Sequence, residues 1–161
     1  LEDFAAARAH GYELIGGGEV LKGGSGRRFT RVRKPTGETA VLGAAPEGSP
    51  WRFGIEDVHR QATSQVQVAT VLAGYAMATS SDAHTSFTND RVHHHILNPR
   101  TGDSPGWWSS VTVVAKSAAL ADGLTKVFFM LPPSRVQQAA KRWSVTVILQ
   151  DKQGRWSRVS G

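Results

Sequence analysis

Residues 109–133 carry three signals in a row that restrict how this chain can fold. Ser109-Ser110-Val111-Thr112-Val113-Val114 is strongly β-branched and predicts a strand. Ser117 is a good helix N-cap. Beyond it, Leu120, Leu124, Val127, Phe128 and Leu131 fall at i, i+4, i+7, i+8 and i+11, one apolar face of a helix over 118–131. Pro132-Pro133 ends that helix, because proline lacks the N–H that would continue it. Together with the strands and hairpins expected on either side, this gives an α+β pattern with antiparallel strands.

The flanking sequence extends this pattern. Ser134 is expected to cap a second helix over 135–142, and a closing hairpin is expected from strands at 143–149 and 155–159. Upstream, strands are expected at 12–15, 19–21, 28–33, 39–42, 51–55, 65–72, 75–80 and 91–97. Pro35-Thr36-Gly37 would turn the 28–33 and 39–42 strands into a hairpin. Residues 2–10 read as the last turns of a helix stopped by Gly11, and 23–50 as an irregular excursion rich in Gly, Pro and Arg. With no internal repeat or clear boundary, the 161 residues are expected to form a single domain with antiparallel strands.

Several classes are excluded. The chain has no cysteine, so disulfides, thiolate zinc sites and a catalytic thiol are ruled out. No apolar run reaches the length of a membrane span. Leu1-Glu2-Asp3-Phe4 lacks the basic start and apolar core of a signal peptide, but a mature or trimmed chain would look the same, so the compartment stays open. The net charge is +6, and 12 of the 19 Lys and Arg fall in two groups. One is Lys22, Arg27, Arg28, Arg31, Arg33 and Lys34; the other is Arg135, Lys141, Arg142, Lys152, Arg155 and Arg158, interleaved with Trp143 and Trp156. No nucleic-acid motif accompanies them. A solvated basic surface is the preferred reading, and an acidic protein partner would fit equally well.

The densest polar segment is His93-His94-His95-Ile96-Leu97-Asn98-Pro99-Arg100-Thr101-Gly102. On a strand, His93 and His95 would share one face. Such a pair could hold a metal if a third ligand arrived, or one histidine could act as a general base. A polar strand ending in an ordinary Asn-Pro turn explains the same residues. Thr79-Ser80-Ser81-Asp82 could offer hydroxyls and amides to a phosphate or flavin edge, though a Ser-rich turn is the commoner case. Gly16-Gly17-Gly18 permits close backbone approach but is not a dinucleotide fingerprint. Asp122 and Lys126 are spaced i, i+4, which on an exposed helix is worth about 0.2–0.5 kcal/mol.

Together these segments resemble the ApbE family, the FAD:protein FMN transferases. The residues that carry the resemblance are Ala78-Thr79-Ser80, His94 to Gly102, Ser109 to Val113 and Ser117 to Leu124; Gly16-Gly17 and Trp51 to Ile55 resemble earlier family segments. The resemblance implies an α+β fold related to the tunnelling folds, a mostly antiparallel sheet with packed helices. It also implies FAD as substrate, Mg²⁺, and transfer of FMN through its phosphate to a Ser or Thr of a target flavoprotein. Family members are typically exported or periplasmic bacterial proteins. By the same resemblance His95 would be the base that activates the target hydroxyl. Thr79 and Ser80, with Asn98, Pro99, Arg100, Thr101 and Gly102, would bind the cofactor, and Asp122 the metal.

The sequence departs from the family in three places. The Thr usual four residues after the metal Asp is Lys126, while Thr125 would point about 100° away on a helix. An ammonium there would compete with Mg²⁺. Asn98 stands where an Asp is usual. The resemblance covers only the family's C-terminal half, so its glycine-rich D-x-G-G-x-A-K-G-Y segment is expected outside this chain. Two readings follow: an FMN transferase with impaired activity, its other half absent, cleaved or supplied by a complementing chain, or a degenerate ApbE-like accessory subunit of a protein complex. No nucleic acid is expected as partner. A histidine-strand metal binder is a third reading, for which no further ligand is evident.

Overall fold

The structure is a computed structural model and describes residues 13–14, 21–22, 28–33, 39–42, 51–59, 66–71, 74–83 and 85–161. Two compact units divide the chain, Leu1–Trp51 and Arg52–Gly161. In the first, β3 (Arg28–Arg33) is the centre of a small antiparallel sheet and pairs with β1 (Glu13–Leu14), β2 (Leu21–Lys22) and β4 (Thr39–Leu42). The β3–β4 pairing runs from Thr30↔Leu42 to Arg33↔Thr39, with the strand bounds the sequence predicts. The expected helix over 2–10, Gly16-Gly17-Gly18 and the turn at 35–37 lie outside the described residues.

In the second unit β5 (Trp51–Glu56) and β6 (Val66–Val71) form a two-stranded sheet. A four-stranded antiparallel sheet runs in the order β10 (Trp156–Ser160), β9 (Thr146–Asp151), β8 (Trp108–Ala115), β7 (Ala76–Ser81). Helix α1 (Ala118–Met130) packs on β7 and β8, and α2 (Pro133–Trp143) lies along β10. This is the α+β arrangement expected. Seven of the eight β8 residues are buried. The strand's period of two sends Val111, Val113 and Ala115 to the face under α1, with Val147 and Leu149 from β9. Thr112 and Ser110 turn to the opposite face and are buried as well.

Four local expectations need correction. On α1 the buried stripe is Ala121, Leu124, Thr125, Phe128 and Phe129, while Val127 is 43% exposed. The real face therefore follows i, i+3, i+4, i+7, i+8 from Ala121 and admits a threonine. Helix α2 starts at Pro133, with Pro132 rather than Ser134 at the N-cap and no side-chain cap. Proline at the first helical position needs no partner for an N–H it does not have. The same helix runs on through Trp143, and the closing strand begins only at Thr146. Residues 91–97 are not a strand: an isolated Ser86↔His94 bridge is the pairing there. Arg91 is left-handed (φ 58°), which breaks an extended run, and the His94 amide donates to the Ser104 hydroxyl at 2.8 Å instead of to a ladder.

Candidate active site

Irregular as it is, the 93–97 segment keeps an alternation of burial. His94 and Ile96 point inward, and His93, His95 and Leu97 outward. The outward His95 is held twice by one carbonyl: its amide and its Nδ1 both lie 3.1 Å from the Thr85 oxygen. A carbonyl oxygen only accepts, so Nδ1 carries the ring hydrogen and Nε2 is left as the bare, basic nitrogen on the exposed side. The chain then turns. The Asn98 carbonyl accepts from the Thr101 and Gly102 amides, and the Asn98 side chain accepts from the Arg100 amide at 3.0 Å. Gly102 adopts φ 78°, a conformation glycine takes without strain. With its amides satisfied internally, this turn offers an anion the Arg100 guanidinium and the Thr101 hydroxyl hydrogen. The Thr101 oxygen already accepts from the Asp103 amide.

His94 anchors this segment to the core. Its ring is fully buried and meets Phe129 of α1 edge-on, centroids 5.6 Å apart, while Nε2 donates to the Pro105 carbonyl at 3.3 Å. Among the described residues Nδ1 has no partner. Burial drives the His94 pKa below its ordinary value, since protonation would place a second, unsatisfied N–H in the core. The unfolded chain therefore binds this proton more readily. The His94 contribution to stability is expected to be complete above about pH 6.5 and to be lost as pH falls through the window below it. Denaturant unfolding at about pH 7.5 and pH 5 checks this. A loss at low pH that persists undiminished in His94→Phe would show that the ring is not its source.

The structure separates Thr79 from Ser80, which point to opposite faces of β7. Thr79 Oγ1 lies 2.8 Å from Thr112 Oγ1, on the face away from α1. Ser80 Oγ lies 2.7 Å from Thr125 Oγ1, and Thr125 in turn donates to the Asp122 carbonyl at 2.7 Å. Ser80 and Asp122 thus belong to one hydroxyl-linked group, and Thr79 does not. The Asp122 carboxylate is half-exposed and sits 2.5 Å from Lys126 Nζ.

A cluster that sequence reading missed lies at the end of β7. Asp82 is fully buried and holds Lys152 Nζ at 2.7 Å and Arg91 Nη1 at 3.5 Å. Beside it His59 Nε2 lies 2.9 Å from Ser109 Oγ. These residues, with Ser104 and Gly106, line a cavity of about 450 Å³. Lys152 was expected among the solvated cations; the buried carboxylate removes it from that group. Asp151 holds Arg155 from the same group at 2.7 Å.

A model described as the ApbE family matches residues 34–149. The chain belongs to the ApbE family. An FAD:protein FMN transferase from Vibrio cholerae is 32% identical over 117 residues, covering 70% of this chain and 34% of that protein. One from Haemophilus influenzae is 30% identical over 115 residues, covering 70% and 33%. The chain thus spans about a third of the length of these curated bacterial relatives. Among solved structures, the ApbE protein of Thermotoga maritima shares the fold, with a TM-score of 0.66 at 21% identity over 98% of this chain and 61% of that one. The flavin transferase ApbE from Vibrio cholerae matches at TM-score 0.55 and 28% identity, over 82% and 42%. No helix among the described residues of this ApbE chain is long and apolar enough to cross a membrane.

Proposed function

We propose that this chain carries the hydroxyl-activating part of an FAD:protein FMN transferase, in a form whose transfer activity is impaired. The observation that supports the chemistry is the His95 ring, fixed through Nδ1 by Thr85 with Nε2 bare, three residues before the Asn98–Gly102 turn. A Ser or Thr hydroxyl of the target protein would lose its proton to Nε2 as its oxygen attacks the FMN phosphorus of FAD. The P–O bond to the AMP half breaks, AMP leaves with the bonding electrons, and the imidazolium returns the proton to solvent. Arg100 would balance pyrophosphate charge, and the Thr101 hydroxyl would donate a hydrogen bond to it.

The observation that supports impairment is at α1. A divalent cation needs several hard oxygen donors. Asp122 already faces the Lys126 ammonium, and Thr125 spends its hydroxyl on Ser80 and a backbone carbonyl. The ammonium beside Asp122 disfavours magnesium at that carboxylate. The same pair favours a second reading, an ApbE-like accessory subunit that binds a flavin or a partner chain without catalysis. Incubation with FAD, Mg²⁺ and a Ser/Thr target, read as target mass, tests both. Little or no FMN adduct is expected. Robust transfer would overturn the impairment, and failure to bind FAD at all would leave only the accessory role.

A further inference from the structure

We infer that Lys152 is a positioning residue for His95, acting through the loop described at residues 82–83 and 85–95. The inference builds on the reading of His95 as the base. Lys152 stands at the end of β9, 70 residues from Asp82 in sequence. Its ammonium makes two bonds that close the loop. It donates to Asp82 Oδ2 at 2.7 Å where the loop leaves β7, and to the Arg91 carbonyl at 3.1 Å where the loop returns. Both attachment points are themselves fixed. The Asp82 amide donates to the Ser109 carbonyl of β8 at 3.0 Å, and its carbonyl accepts from the Ser86 hydroxyl. Arg91 Nη1 donates to the Val58 carbonyl at 2.7 Å.

Between these ends the loop folds on itself. The Phe87 amide donates to the His93 carbonyl at 2.7 Å, and Ser86 bridges His94. Thr85, three residues beyond Asp82, supplies the carbonyl that accepts both the amide and Nδ1–H of His95. Where that carbonyl points therefore sets which ring nitrogen is protonated and where Nε2 lies. Lys152 touches neither His95 nor Thr85 in the contacts that define the site; it acts by holding both ends of the loop between them. Its strength comes from burial: the Asp82 carboxylate is 1% exposed, so little water competes for the pair. An ammonium with three donors on a flexible stem can serve carboxylate and carbonyl together, as a neutral side chain of similar length cannot.

The test reads the His95 tautomer directly, by ¹⁵N-histidine NMR of the folded chain at a pH where the ring is neutral. The wild type is expected to hold His95 as the Nδ1–H form. In Lys152→Met the Nε2–H form should rise toward its share in free imidazole and exchange of the His95 amide should quicken, while Lys152→Arg restores the wild-type pattern. Loss of the buried pair could destabilise the single variant, so Asp82→Asn/Lys152→Met, which removes both charges, is measured beside it with the same expectation. An unchanged Nδ1–H form in a folded variant without Lys152 overturns the inference, as does a wild type that is already mixed. Because no activity enters this readout, it separates from the transferase reading. A chain that transfers no FMN even with magnesium restored, yet whose His95 responds to Lys152, loses that reading and keeps the positioning role.

Discussion

Replacing Phe129 with alanine is expected to cost about 3–5 kcal/mol of stability, the range for an aromatic removed from a packed core. Phe129 is fully buried on the α1 face that covers the sheet. Its loss leaves a cavity between that face and the His94 ring, which meets it edge-on. The unfolding midpoint should fall by roughly 10–15 °C. A second effect follows from the same contact. The His94 pKa lies below its ordinary value chiefly because of burial. Opening the ring to water relieves that cause, so it should rise back toward about 6.5. Thermal unfolding and a histidine titration of the same variant measure both. A loss under about 1 kcal/mol would mean that α1 does not pack on the sheet as described. Phe129→Leu, which keeps much of the volume, should lose less.

What could be read in the sequence was what short-range patterning encodes. The bounds of β3 and β4, the existence of α1 and the alternation of burial through His94, His95 and Ile96 follow from periods of two and 3.6 and from turn residues. Errors arose where a polar residue did the work of an apolar one or a contact was distant. Thr125 is buried on α1, but counting apolar residues alone passes over it and recruits the exposed Val127. Thr79 and Ser80 are neighbours in sequence, yet a strand's alternation sends them to opposite faces, one to Thr112 and one to Thr125. Lys152 looked like one more cation in a basic tail because nothing local distinguishes it. Its carboxylate partner is brought to it by β7, β8 and β9 assembling into one sheet. In the same way, Gln150 falls just past the strand expected at 143–149 and carries no local mark, but it is buried in β9 and bonds Asp57, Val58 and Gly154.

Lys126→Thr is expected to strengthen magnesium binding by about two- to fivefold, from release of the competing ammonium and gain of a hydroxyl donor. The ammonium sits 2.5 Å from the Asp122 carboxylate on the same helical face. A divalent ion approaching that carboxylate meets a unit positive charge within about 5 Å. At the dielectric of bulk water this repulsion is at most about 1.7 kcal/mol, and at this half-exposed pair salt and the mobility of the lysine stem reduce it. The substitution also supplies a hydroxyl four residues from Asp122, on the face that Thr125 does not reach because its own hydroxyl is turned inward to Ser80. Both residues of the pair are more than two-fifths exposed, so breaking it should cost the fold only about 0.2–0.5 kcal/mol. Lys126→Met separates the two contributions: it removes the charge without adding a donor and should recover part of the gain. Calorimetric titration with Mg²⁺ measures each variant. No change in Lys126→Thr would show that the ammonium does not stand in the cation's way, and the cause of any impaired transfer would then lie elsewhere in the chain. If affinity rises and the target protein begins to gain FMN mass, one side chain on α1 separates this chain from an active transferase, and the His95 site was competent throughout.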